Sequence, residues 1–225
     1  AWSPGFFRIE IEPREIAGLV ASTHSSDSLG ALEPRAALTA EIERRHRRLA
    51  EANAADDVSL AAELVLAADQ FVIKPVGRTS DVAEVQAAGQ ESKTIIAGYH
   101  WFTDWGRDTM ISLEGLTLLT GRHSEAASIL QTFARALRDG LLPNLFPEGE
   151  RDGLYHTADA TLWFFHAIDR YVRASGDREL LAALLPRLDE VAQRHLDGTR
   201  FGIAVDPSDG LLRQAHHSLL RLQIL

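Results

Sequence analysis

Apolar residues recur at helical spacings along most of this chain, and the segments between them alternate between short turns and long irregular stretches. The spacing predicts helices at about residues 34–53, 59–73, 108–119, 124–138, 157–174 and 177–195. We expect Asp177 to cap the last helix and Gly176 to end the one before it. Helices joined in this way are typical of stacked αα-hairpins, whose long loops gather at one end, where a site can form.

The beginning of the chain follows a different pattern. Phe7, Ile9 and Ile11 alternate with polar residues and would share one face of a strand. A second apolar run at 16–21 could pair with it, and the Ser- and Asp-rich stretch 22–30 is typical of a linker. Because two strands alone are marginal in water, two interpretations stay open: the tail of a larger β domain, or a small hairpin on a helical domain.

Three further stretches lack a helical period. Residues 75–93 and 140–155 are rich in turn-forming residues and predict long loops. Residues 94–105 are apolar and aromatic but broken by glycine, which favours a buried or pocket-lining loop. Residues 201–205 predict a short strand.

Composition narrows the class of protein. Of the 225 residues, 45% are hydrophobic and 24% are charged, as in soluble globular proteins. A net charge of -9 argues against a nucleic-acid partner, because phosphate binding needs a basic face. The lack of cysteine excludes disulfides and thiol chemistry. No apolar run approaches the roughly 20 residues of a membrane span, so we expect no membrane partner and a cytoplasmic location.

The first candidate site is the run 99–108, Tyr-His-Trp-Phe-Thr-Asp-Trp-Gly-Arg-Asp. Aromatic faces stack on the C–H faces of sugar rings, and an arginine such as Arg107 bonds hydroxyls in a fixed geometry. Gly106 would let backbone approach a ligand closely. The run therefore predicts part of a sugar pocket. The alternative is a structural loop in which Asp108 caps the next helix and Arg107 forms an ion pair.

The second candidate site is the run 155–163, Tyr-His-Thr-Ala-Asp-Ala-Thr-Leu-Trp, which opens a helix after a long loop. Asp159 lies in the first turn, where the helix dipole favours a carboxylate. The alternative is that Thr157 and Asp159 only cap this helix and that Trp163 belongs to the core.

Neither run carries a metal or triad pattern. His100 and His156 with Asp104 and Asp159 match no ligand spacing, so we predict no metal and no cofactor. The Gly-x-Ser-x-Gly turn of serine hydrolases is also missing.

Together the two runs are more specific. Residues 97–111 resemble the signature of the glycogen debranching, amylo-α-1,6-glucosidase family, and residues 155–165 resemble its later motif in the expected order. The resemblance covers roughly residues 59–214. It implies a mainly α fold, a partial (α/α)6 toroid of helical hairpins in residues 31–225. Residues 1–30 resemble the end of the preceding β-sandwich domain and its linker, which gives the fold a short N-terminal β segment.

The resemblance also implies roles for individual residues. It implies inverting hydrolysis of α-1,6-glucosidic bonds, with Arg107 and Asp108 holding the hydroxyls of the glucose at the cleavage point. Trp105 would be a neighbouring sugar platform. The remaining substrate-binding residues would line the same subsite; they are Tyr155, Asp159 and Trp163. The expected partner is a glucan or small glycoside, and the oligomeric state is not fixed by the sequence.

The general acid and base are expected beyond residue 225. Residues 215–225 depart from the family pattern, and the chain begins at Ala1 with Met110 as its one methionine. We therefore expect a C-terminally truncated copy that is inactive alone, while a frameshifted end and a genuine divergence stay open as explanations of the tail. Two alternatives stay open: a six-hairpin hydrolase of a small glycoside or disaccharide, and a non-catalytic sugar-binding remnant.

Overall fold

The computed structural model describes residues 5–20, 33–54, 59–75, 92–147 and 153–214. Within these residues the chain is mainly α-helical with a few short strands, which confirms the predicted fold class in this coarse sense. The chain divides into two compact units, Ala1–Arg47 and Arg48–Leu225. In the described parts of the chain, no helix combines the length and hydropathy needed to cross a membrane.

The start of the first unit differs from its prediction. Residues 5–20 form neither helix nor strand, and Phe7, Ile9 and Ile11 are exposed. A strand is held by backbone hydrogen bonds to a neighbouring strand, whereas the backbone bond formed here is a local turn from the Glu15 N–H to the Glu12 carbonyl. The predicted strand at this position is therefore wrong. The predicted linker at 22–30 lies outside the described residues.

Six α-helices are formed within the described residues, and each matches a predicted one with ends shifted by a few positions. They are α1 (Pro34–Glu51), α2 (Leu60–Phe71), α3 (Gly106–Leu116), α4 (His123–Arg135), α5 (Asp159–Ser175) and α6 (Arg178–Asp197). The predicted cap of α6 is confirmed, because the Asp177 carboxylate accepts from the Leu180 N–H at 2.9 Å. Gly176 ends α5 in the left-handed region, with φ 71°.

Four short strands form two antiparallel pairs in the described residues. Strand β1 (Val72–Ile73) follows α2 and pairs with β2 (Thr94–Ile95). Strand β3 (Ala204–Val205) pairs with β4 (Leu212–Arg213). The predicted strand at 201–205 is thus confirmed in its last two residues, and most of the predicted loop at 75–93 lies outside the described residues.

The main hydrophobic core lies between helices α3, α4, α5 and α6. Its largest fully buried side chains include Phe133, Phe164, Met110, Leu113, Ile129 and Leu130. These residues come from α3, α4 and α5 at helical spacings, so the amphipathic pattern of each helix places one face inward.

Helices α3 and α5 pack side by side and run in the same direction. Near their starts, Arg107 of α3 pairs with Asp159 of α5. Further along both helices, Arg170 donates to Glu114 at 2.9 Å. The first turns of α3 and α5 therefore lie at the same end of the packed helices, and each candidate run of the sequence leads into one of these turns.

A cluster of four charged side chains joins the last turn of α1 to α2 and to the start of α4. The Arg122 guanidinium contacts Asp69 at 2.9 Å and Glu125 at 3.2 Å. Arg48 reaches the same two carboxylates, at 3.4 and 3.0 Å. We call these four residues the Arg122 cluster. All four residues belong to the second unit, where the two shared carboxylates hold Arg48 and Arg122 together.

Candidate functional site

The start of helix α3 is set by a residue from a distant loop. Helix α3 begins at Gly106, two residues before its predicted start, and Trp105 at the N-cap makes no side-chain capping bond. Instead, the Gly106 N–H donates to the backbone carbonyl of Asn144 at 2.9 Å. The Arg107 N–H donates to the Asn144 side-chain Oδ1 at 3.2 Å. Asn144 therefore supplies the cap that the local sequence lacks.

The close approach of the backbone at residues 143–144 to the start of α3 requires glycine at position 106. A Cβ at Gly106 would lie 2.2 Å from the carbonyl oxygen of Pro143, far inside van der Waals contact. The sequence predicted that Gly106 allows backbone to come close to a ligand. The backbone that comes close belongs to the protein itself, so the structure gives this glycine a packing reason.

The stretch predicted as a long loop at 140–155 is irregular, but much of its described part is buried. Leu145 forms isolated antiparallel bridges with Trp105 on one side and Leu154 on the other. The Asn144 N–H donates to the Leu154 carbonyl at 2.8 Å. This short ladder runs from the segment before α3 to the segment before α5, so it holds the two candidate runs in register.

The two runs meet in the ion pair of Arg107 and Asp159. The Arg107 Nε lies 2.6 Å from Asp159 Oδ2, and Arg107 Nη2 donates to Asp159 Oδ1 at 3.1 Å. The two side chains remain 37% and 47% exposed. The structural-loop alternative for the first run also predicted an ion pair for Arg107. The observed pair is open to solvent, so a ligand can reach both charges.

Three further hydrogen bonds hold the start of α5. Asp159 Oδ1 accepts from the Ala160 N–H at 2.8 Å. The side chain of Gln214 donates to the His156 carbonyl at 3.2 Å and accepts from the Ala158 N–H at 3.4 Å. The hydroxyl of Thr157 is buried without a hydrogen-bond partner among the described residues, so the cap that the alternative reading assigned to Thr157 is not formed.

The pKa of His156, in the segment before α5, departs from its ordinary value. Burial lowers the pKa of His156, and the positive charge of Arg107 lowers it further. Both causes disfavour the imidazolium. The imidazole next to the ion pair is therefore neutral at pH 7.

Two tryptophans, Trp163 and Trp105, were predicted to contact sugar. Trp163 is one helical turn after Asp159 on α5, which places both on the same face. It is partly exposed, and its ring meets that of His166 edge-on at 5.2 Å. Trp105 meets Phe102 edge-on at 6.0 Å. The structure thus places Trp163 on the face of Asp159, whereas Trp105 is held in the short ladder before α3.

Asp108 follows Arg107 in sequence but faces a different place, as successive residues of a helix do. It borders a cavity of about 370 Å³ whose other walls are mostly apolar. The remaining lining residues are Phe71, Ile95, Ile96, Ala97, Ile111, Ser112 and Leu116. The structure does not bring the Asp108 carboxylate into the Arg107–Asp159 pair. A carboxylate over apolar walls is a composition that suits a hydroxylated ring.

Tyr155 lies in a separate small core. It is buried against Leu141, Ala158 and Ile203, and its hydroxyl donates to the Ala136 carbonyl at 2.9 Å. The Arg200 guanidinium lies 4.7 Å from the centre of its ring. Its predicted contact with a sugar stays a prediction.

The aromatic segment 94–105 divides into a buried and an exposed part. Thr94 and Asp104 are buried, and the Thr94 hydroxyl donates to the Asp104 carboxylate at 3.0 Å. Trp101, in contrast, is 85% exposed, so the predicted buried or pocket-lining loop is right for the ends of the segment and wrong for Trp101. Asp104 is thereby engaged in the core. Across the described residues, no group of three or more His, Asp or Glu side chains is placed to hold a metal ion.

Asn144 and Gln214 were not singled out as functional by the sequence. Both act on backbone groups at the starts of helices far away in the chain. The signal available was indirect: the residue before Gly106 is a tryptophan, which cannot cap a helix, so an outside acceptor was needed.

The two candidate runs lie within the part of the chain that is similar to a known family. The sequence profile of the family described as amylo-alpha-1,6-glucosidase matches residues 66–220, more than half of the chain. A glycogen debranching enzyme of Saccharomyces cerevisiae is 44% identical over 75 residues, which is 33% of this chain. The same match spans 5% of the length of that yeast enzyme. The chain belongs to the amylo-alpha-1,6-glucosidase family.

Proposed function

We propose that the first turns of α3 and α5 form the glucose-binding part of an α-1,6-glucosidase site, as in glycogen debranching. The observation that supports it best is the solvent-open Arg107–Asp159 pair, which joins the two runs that resemble the family. The proposed partner is a glucan or small glycoside. The proposal includes inversion at the cleaved carbon.

The chemistry of the pair suits a sugar. A guanidinium has five N–H donors in a fixed plane, and a carboxylate offers up to four acceptor positions. Their described contacts engage the Nε and Nη2 side of Arg107. Glucose hydroxyls both donate and accept, so one ring can bond to both charged groups at once. The tryptophan on the Asp159 face, Trp163, supplies an apolar surface for the C–H face of such a ring.

The proposal extends to architecture. The parallel packing of α3 and α5, with both first turns at one end, is the relation expected between neighbouring inner helices of an (α/α)6 toroid. We propose that residues 31–225 belong to such a toroid. Inverting hydrolysis needs a general acid and a general base on opposite sides of the bond. In this proposal the residues described above bind and orient glucose.

Calorimetric titration of the purified chain with isomaltose tests the proposal. Arg107→Ala should weaken binding about tenfold or more, since hydrogen bonds to a charged group contribute about 1.5–3 kcal/mol. A matched control is Arg173→Ala, because Arg173 pairs with Asp169 at 2.8 Å in an exposed ion pair on α5. We expect the control to bind like the wild type. Equal affinity in the wild type and Arg107→Ala, or no binding by the wild type, would contradict the proposed sugar site.

A further inference from the structure

The first turn of α3 depends on hydrogen bonds from outside the helix. The first N–H groups of any α-helix have no partner within it. In α3 these groups include the backbone N–H of Arg107. Trp105, at the N-cap, makes no side-chain hydrogen bond to them. Both Gly106 and Arg107 donate instead to Asn144, at 2.9 and 3.2 Å. The conformation of the Arg107 backbone is therefore set by a residue 37 positions away.

Asn144 also makes a hydrogen bond to the segment that leads to α5. Asn144 is 1% exposed, and its backbone N–H donates to the Leu154 carbonyl at 2.8 Å. Leu154 precedes the segment that enters α5, where Asp159 begins the helix. One buried residue thus bonds to the start of the helix that carries Arg107 and to the segment that leads to Asp159.

We infer that Asn144 is a positioning residue that sets the Arg107 guanidinium against the Asp159 carboxylate. Its effect on sugar affinity rests on the function proposed above, while its effect on Arg107 does not. The side chain of Arg107 moves with its backbone, and the Asn144 Oδ1 contacts that backbone directly. In enzymes a misplacement of about 1 Å can cost about a hundredfold in reaction rate, so contacts that depend on orientation respond to small backbone shifts.

Amide hydrogen exchange measures the positioning directly, with no sugar present. Asn144→Ala removes the acceptor and should raise the exchange rate of the Arg107 amide about tenfold, the size expected for a lost helix cap. Asn144→Asp keeps an acceptor at a helix start that favours negative charge, so protection should stay near the wild-type value. The matched control is Ser59→Ala, which removes the cap of α2, where Ser59 Oγ accepts from the Ala62 N–H. This control should expose the Ala62 amide and leave Arg107 protected.

Titration with isomaltose then tests the consequence for binding. We expect about tenfold weaker binding for Asn144→Ala, recovery in Asn144→Asp, and at most a twofold change in Ser59→Ala, which has a comparable loss of cap stability. Should the alanine variant not fold, Asn144→Ser keeps a polar group in the buried space while its shorter side chain withdraws the acceptor.

The outcomes separate the two ideas. Arg107 exchange that is unchanged in Asn144→Ala, or raised equally in Asn144→Asp, overturns the positioning role. Isomaltose affinity that falls as much in Ser59→Ala as in Asn144→Ala also overturns it, because general destabilisation would then explain the loss. A wild-type chain that binds no isomaltose but shows the expected exchange pattern supports the positioning role and rejects the proposed sugar site.

Discussion

The Arg122 cluster and the Arg107–Asp159 pair are made of the same chemical groups in different surroundings. In the cluster, the side chains of Arg122 and Glu125 are 4% and 13% exposed, and two arginines share two carboxylates. The Arg107–Asp159 pair is more than a third exposed on both sides. Arg122 and Arg107 each lie at or next to the start of a helix, so position on a helix does not distinguish these two arginines.

The difference in burial separates a structural role from a binding role. Charges removed from water are costly unless each has its partners within the protein. The Arg122 cluster meets that need internally, within the second unit. An exposed pair adds little to stability because water screens it. For the same reason it can exchange water contacts for contacts with a ligand, so the exposed pair is the candidate site.

The largest expected effect comes from breaking the buried cluster. Arg122→Ala leaves Asp69 and Glu125 buried with only Arg48 as a shared partner, so it should lower the free energy of unfolding by about 3–5 kcal/mol. Urea denaturation followed by circular dichroism measures this change. Arg107→Ala is the comparison variant, and it should change the free energy of unfolding by at most about 1 kcal/mol. Equal losses in the two variants would remove the distinction drawn between them.

A smaller effect is expected at the contact that supports the exposed pair. Gly106→Ala forces a Cβ against the Pro143 carbonyl oxygen, and overpacking of this kind costs about 1–3 kcal/mol. Urea denaturation again measures the loss. The matched control is Gly115→Ala in the same helix, where a Cβ would meet no atom within 4 Å. Since alanine has the higher helix propensity, this control should stabilise the protein by up to about 1 kcal/mol. Destabilisation by both variants would mean that the helix, not the Pro143 contact, is sensitive.

The helices could be predicted from sequence because their determinants are local. Met110 and Leu113 on α3 are three residues apart, and Ile129 and Phe133 on α4 are four apart, because one face of each helix is buried. Likewise, Asp177 caps the helix that begins with the next residue. The two candidate runs were also identifiable, since their composition is unusual within short windows.

The contacts between the runs could not be predicted in the same way. Asn144 acts on Arg107 across 37 residues, and Gln214 acts on Ala158 across 56, so no local pattern reports either contact. The family resemblance implies that Arg107 and Asp108 both hold glucose, and no local pattern indicates the ion pair between Arg107 and Asp159. The strand predicted from Phe7, Ile9 and Ile11 failed because alternation alone does not supply a neighbouring strand.

The smallest effects expected are in the pH dependence of stability, where the two regions titrate separately. Burial tends to raise the pKa of Glu125, but Arg122 and Arg48 outweigh it and hold the pKa below its ordinary 4.5. A lowered carboxyl pKa contributes stability above pH 4.5 that is lost as pH falls through the folded value. Glu125→Gln should therefore reduce the stability decline at acid pH, to which other carboxylates with lowered pKa, such as Asp177, also contribute.

His156 titrates in a higher range. Burial and then Arg107 lower its pKa from 6.5, so the unfolded chain takes up the proton more readily than the folded one. Stability should be highest above pH 6.5 and fall as the pH drops through the lowered value. The midpoint of urea denaturation, measured between about pH 4 and pH 8 in steps of about half a unit, should show this decline. This range includes the ordinary histidine pKa of about 6.5. His156→Gln should abolish it, while the acid decline assigned to Glu125 persists. Arg107→Ala should reduce the decline without abolishing it, because burial is the first cause and remains. A decline near pH 6 that survives in His156→Gln would assign it to another group and leave the exposed pair without a titrating neighbour.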